Sequence, residues 1–105
     1  MAKAIAAARD FAWSGQHART IDVATDALAA NDSTDESRIA LLELRAESLT
    51  AQGDIDRALD DAEAMVAIAD RSKKAALQAQ ALSCLGRVQL ASGGIAAAIE
   101  TALRS

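Results

Sequence analysis

The sequence predicts an all-α fold, an α-solenoid of three antiparallel helix pairs forming a single domain, and three observations predict it. Proline is absent and strong helix formers dominate, with Ala supplying much of the 51% apolar content, so helix meets little local competition. Apolar residues recur at three- and four-residue steps along most of the chain, which is the spacing of one helix face. The pattern also repeats. Ala51-Gln52-Gly53-Asp54-Ile55-Asp56-Arg57-Ala58-Leu59 reads as a helix end, a tight turn and a new helix, and weaker copies surround Gly15 and Gly93. Gly53 lies 38 residues after Gly15 and 40 before Gly93, periods that belong to helical-hairpin repeats. The repeats are set at about 1–31, 32–71 and 72–105.

Ala2 to Trp13 is expected to form the first helix, with Ile5, Ala8, Phe11 and Ala12 at helical spacing. Ser14-Gly15-Gln16 ends it, because Gly closes a helix in the left-handed conformation without a Cβ clash. The second helix runs from about His17 to Ala29 and buries Ile21, Ala24 and Leu28. Asn31 to Asp35 is the clearest linker, and Ser33 with Glu36 has capping-box spacing for the third helix. That helix, about Asp35 to Gln52, carries Ile39, Leu42, Ala46 and Leu49 on one stripe with Leu41 and Leu44 beside it. A face that broad implies neighbours on more than one side.

After Gly53, Asp54 is placed to cap the fourth helix, whose inner face holds Ile55, Ala58, Leu59, Ala62, Met65, Val66 and Ala69. A break is expected within Asp70-Arg71-Ser72-Lys73-Lys74 because the period demands one, with Ser72 as the cap. An unbroken helix from Ile55 to Ser92 would span roughly 57 Å at 1.5 Å per residue, too long for a domain of this size. The fifth helix, to about Ala91, carries Leu82, Leu85, Gly86 and Leu90. The sixth, Ile95 to Leu103, presents Ile95, Ala98, Ile99, Ala102 and Leu103. Where helices cross at a tight turn, small residues such as Ala46 and Ala58 let backbones approach while Leu49 and Leu59 fill the space beside them.

Composition narrows the function. With 105 residues the chain is one domain with a modest core, and with 2% aromatic residues that core is thin. A formal charge of −4 offers no general footprint for a phosphate backbone, so nucleic acid is not the expected ligand. The apolar run Ala4 to Ala8 is cut by Arg9-Asp10, too short for a signal peptide or a membrane span, so a cytoplasmic protein without membrane contact is expected. Cys84 stands alone, which excludes an internal disulfide framework, and it reads as a small buried hydrophobe. His17, the only His, reads as a surface residue beside a turn. One His and one Cys fall short of a metal ligand set. Glu43 and Glu47, four apart, read as a solvated face without a partner base. Gly93-Gly94 lacks the Lys-Ser/Thr of a phosphate loop. No catalytic residue, metal or cofactor is therefore expected.

Taken together, the motif positions resemble the tetratricopeptide repeat family over nearly the whole chain. That family places a small residue seven before the turn glycine, a bulky one four before, and a small–large pair five and six after. The first hairpin offers Ala8, Phe11 and Ile21 around Gly15, with Thr20 in place of Ala. The second offers Ala46, Leu49, Ala58 and Leu59 around Gly53, and the third offers Gly86, Ala98 and Ile99 around Gly93, with Gln89 at the bulky position. The family's early Trp and closing Pro are missing, the second-helix aromatic is replaced by Ala24, Ala62 and Ala102, and the period exceeds 34 residues. The longer period is similar to that of variants attached to bacterial signalling and transcription regulators.

The resemblance implies a non-enzymatic interaction module whose first helices line a concave groove for a peptide or protein partner. Carried over by position, the groove residues are Ala2, Ile5, Arg9, Ala12 and Trp13, then Ala40, Glu43, Glu47, Thr50 and Ala51, then Gln80, Ser83, Arg87, Leu90 and Ala91. Ile5, Leu44 and Cys84 stand where parts of the family's carboxylate clamp would be, so a terminal carboxylate is not the expected ligand. Trp13 is the strongest anchor candidate; its alternative is packing against the second hairpin. A different reading starts from the last helix pair, which nothing is expected to cover. Ile95, Ile99 and Leu103 would then mediate homo-oligomerisation.

Overall fold

Three of the breaks between helices are closed by the same device. At Gly15, Gly53 and Gly93 the backbone enters the left-handed region, with φ of 77°, 82° and 84°. The residue after each glycine donates its N–H to the carbonyl four residues before that glycine: Gln16 to Phe11 (2.8 Å), Asp54 to Leu49 (2.9 Å) and Gly94 to Gln89 (2.9 Å). The glycine N–H meanwhile bonds the carbonyl three residues back. This pair of bonds satisfies carbonyls that a helix end otherwise leaves open.

The computed structural model describes residues 2–30 and 34–104, without the side chains of Ala2, Ile95 and Ala96. Among the described residues there are six helices and no strand: α1 (Ala2–Trp13), α2 (His17–Ala29), α3 (Asp35–Ala51), α4 (Ile55–Ser72), α5 (Ala75–Ala91) and α6 (Ile95–Arg104). No helix among them is long and apolar enough to cross a membrane. Each helix packs on the next, and α3 also packs on α1 and on α5. The molecule measures 35 × 30 × 18 Å with a radius of gyration of 13.0 Å.

The caps depart from the sequence expectations. Ser33 lies outside the described residues, and the cap of α3 is Thr34, whose Oγ1 accepts from the Ser37 N–H at 3.1 Å. Asp54 stands at the N-cap of α4 but its side chain caps nothing; it faces Arg57 at 3.5 Å instead. Ser72 is the last residue of α4 rather than the cap of α5. The break falls one residue later, at Lys73, which takes a left-handed φ of 57°. Ser72 helps to hold it: its Oγ donates to the Ala69 carbonyl at 2.8 Å and accepts from the Lys74 N–H at 3.4 Å.

The largest fully buried apolar side chains, Ile39, Leu41, Leu49 and Met65, all belong to α3 and α4. Alanines sit among them: Ala8, Ala24, Ala46, Ala58, Ala62, Ala69 and Ala81 are all fully buried. Small residues there permit close backbone approach. Thr20, in place of one such alanine, is equally buried and donates its hydroxyl to the Ala8 carbonyl at 3.2 Å, so the substitution leaves no orphaned donor. His17 corrects the surface reading: it is half-buried, and its Nδ1 shares a 3.0 Å hydrogen bond with the buried Ser48 hydroxyl, tying α2 to α3.

Candidate functional site

Helices α1, α3 and α5 border a depression of 360 Å³, lined by Arg9, Ala12 and Trp13 of α1, Ala40, Glu43, Leu44 and Glu47 of α3, and Gln80 of α5. A second depression of 200 Å³ adjoins it through Glu47, with Thr50, Cys84, Arg87 and Val88 as its other walls. The contacts of α3 with both α1 and α5 bring these residues onto one surface. Of the residues carried over by position, Arg9, Ala12, Trp13, Ala40, Glu43, Glu47, Thr50, Gln80 and Arg87 line these depressions. Half-buried Ile5 and exposed Ser83 and Leu90 lie outside them.

Trp13 does not pack on the second hairpin. Its side chain is 92% exposed, held at the end of α1 just before the Gly15 turn. Phe11, two residues earlier, turns instead toward Arg19, whose guanidinium carbon lies 5.7 Å from the ring centroid, within the range of a cation–π contact.

Polar groups of α3 and α5 are already paired across the surface. Arg87 donates from Nη2 to Glu43 Oε2 at 3.1 Å and from Nη1 to Glu47 Oε1 at 3.4 Å. Gln80 Nε2 donates to Glu43 Oε1 at 3.2 Å. One guanidinium thus serves two carboxylates. Burial, and then the neighbouring charge of Glu43, push the Glu47 carboxyl above its ordinary value, with Arg87 opposing them. Cys84 lies beside this row, buried, and its thiol is pushed up to about 12, chiefly by burial and next by Glu43. A thiol so disfavoured from ionising is a packing group rather than a nucleophile.

Sequence reasoning finds the residues but not their pairing, and a signal for it exists. Arg9, Glu47 and Arg87 each stand six residues before a turn glycine, so they occupy one row across α1, α3 and α5. Opposite charges one repeat apart on such a row are placed to meet. The apolar end of α6 is also open: Ile99 is 57% and Leu103 83% exposed, while the Ile95 side chain lies outside the described residues.

No protein-family model matches the chain, and neither a curated protein nor a solved structure does.

Proposed function

We propose that the chain is a tetratricopeptide-like α-solenoid of three antiparallel helix pairs and works as a non-enzymatic protein–protein interaction module. In this reading the first helix of each pair, α1, α3 and α5, forms the concave side, and an extended peptide or protein segment lies along it in a cytoplasmic, bacterial signalling or regulatory assembly. The packing order supports it, since each helix touches its neighbour in sequence while α3 also touches α1 and α5. The observation that carries the binding role is Trp13: an aromatic side chain left 92% exposed on the border of a depression contributes nothing to the core and is the type of residue that anchors interfaces.

A displayed library of random peptides, panned on the purified protein, tests this reading. The expected result is a set of selected peptides with a shared pattern, bound at least about tenfold more weakly by Trp13→Ala and Arg87→Gln with little change in melting temperature. Failure to select any pattern, or equal binding by both variants, overturns it.

The exposed Ile99 and Leu103 favour a second reading, homo-oligomerisation through α6. Sedimentation of the wild type and Leu103→Glu separates the two. A dimer dissociated by the substitution supports self-association, and a monomer at all concentrations removes it.

A further inference from the structure

We propose that the depression between α2, α3 and α4 is a binding site for a small organic carboxylate with an apolar body, whose charge is received by Arg38 and Arg71. It has a volume of 530 Å³, larger than either depression on the α1–α3–α5 side and within the roughly 300–1,000 Å³ typical of small-molecule sites. Its floor includes the buried Leu42 and Ile68. Three guanidiniums line it, Arg38, Arg45 and Arg71, against one carboxylate, Asp61. An excess of positive charge is unusual on a chain of net charge −4.

That one carboxylate is already engaged. Arg45 Nε donates to Asp61 Oδ2 at 2.8 Å and Arg45 Nη2 to Asp61 Oδ1 at 2.7 Å, while Arg45 Nη1 donates to Thr25 Oγ1 at 3.1 Å. Arg45 and Asp61 therefore satisfy each other in a fork-to-fork pair. Arg38 and Arg71 have no such partner: among the described residues neither takes part in an ion pair. Moreover, Arg38 Nε is buried with no hydrogen-bond acceptor. A buried N–H without an acceptor is unfavourable, and the rest of the Arg38 group, only half-buried, is left to receive an anion in the depression. Guanidinium geometry matches a planar carboxylate, and the Leu42–Ile68 floor calls for an apolar body behind it. A bare inorganic anion would leave that floor wet.

Amide NMR spectra of the full chain, titrated separately with sodium octanoate, octanol and inorganic phosphate, test the assignment. Octanoate is expected to shift the amides of Leu42, Ile68 and Arg71 saturably, with octanol and phosphate each at least about tenfold weaker. Arg71→Gln, at an exposed position, is expected to weaken octanoate about tenfold while the rest of the spectrum stays in place, and Arg38→Met to weaken it at least as much. Octanol binding as well as octanoate would remove the role of the arginines. Phosphate binding as well would remove the apolar body, and shifts confined to the exposed α6 residues would place the ligand elsewhere. Unaltered binding by Arg71→Gln also overturns the proposal, and this variant and the ligand contrast decide the matter even if Arg38→Met does not fold.

Discussion

Helix α3 separates two surfaces on which the same residue types are paired in different ways. Toward α1 and α5, Glu43 and Glu47 share the single guanidinium of Arg87 at 3.1 and 3.4 Å, and Trp13 stands exposed on the border. Toward α2 and α4, Asp61 is fully taken up by Arg45, and Arg38 and Arg71 remain without an ion-pair partner among the described residues. On the first side two carboxylates share one arginine while Arg9 adds a second cation to the lining; on the second, three arginines face one carboxylate. An arginine's neighbourhood, and not its presence, thus decides whether it holds the fold together or stays open to a ligand. Arg45 reaches an Asp61 side chain only 8% exposed, whereas the Arg87 side chain is 55% exposed.

The largest effect should come from breaking the closed pair. Asp61→Ala leaves Arg45 with two lost charge-assisted bonds in a partly buried setting, and removing one partner of such a pair costs about 3 kcal/mol. For a domain this small that is roughly a 10–20 °C fall in melting temperature, readable by circular dichroism. A fall of only a degree or two would mean that Arg45 finds water and that the two surfaces do not differ as described.

Arg38 should respond in the opposite direction. Its Nε has no acceptor to lose, and Met retains an apolar stem of similar reach. Arg38→Met is expected to raise stability in urea by about 1 kcal/mol, the lower end of the cost of a buried unsatisfied donor. A loss as large as that of Asp61→Ala would show that the Arg38 guanidinium already has a structural partner in solution.

These arginines also show where the sequence stops being legible. Helix positions and most of the buried faces follow from local features: apolar spacing in α3 and α4, and glycines where the backbone must turn left-handed. The break at Lys73 carries no such mark, because a non-glycine residue adopts φ 57° there with its neighbour's hydroxyl bonded on both sides. The cap of α3 lies one residue from the expected position because Ser33 and Thr34 offer equivalent hydroxyls, and only the backbone path selects between them. The row of Arg9, Glu47 and Arg87 is reachable from the repeat phase. Arg45 with Asp61 is not, since residues 16 apart on α3 and α4 hold different positions relative to Gly53. Arg38 looks in sequence like any solvated charge on a helix.

The smallest effect tests the other side of α3, through pH. Burial first, and Glu43 second, hold the Glu47 carboxyl above the ordinary glutamate value of 4.5, with Arg87 working against them. The folded chain therefore binds this proton more tightly than the unfolded chain does. Below the unfolded value both states are protonated and Glu47 contributes no penalty; as pH rises through the folded value the penalty develops, and at neutral pH it is complete. Glu47→Gln is neutral at every pH, so its advantage over the wild type should be absent near about pH 3.5 and present near about pH 7. With the Glu47 side chain 46% exposed, solvent screening keeps that advantage to a few tenths of a kcal/mol, and the Gln also gives up the long bond to Arg87. Urea midpoints at the two pH values measure it. A variant less stable than the wild type at neutral pH would mean that Arg87 neutralises both carboxylates after all, and that the pairing on this side of α3 is as closed as that of Arg45 with Asp61.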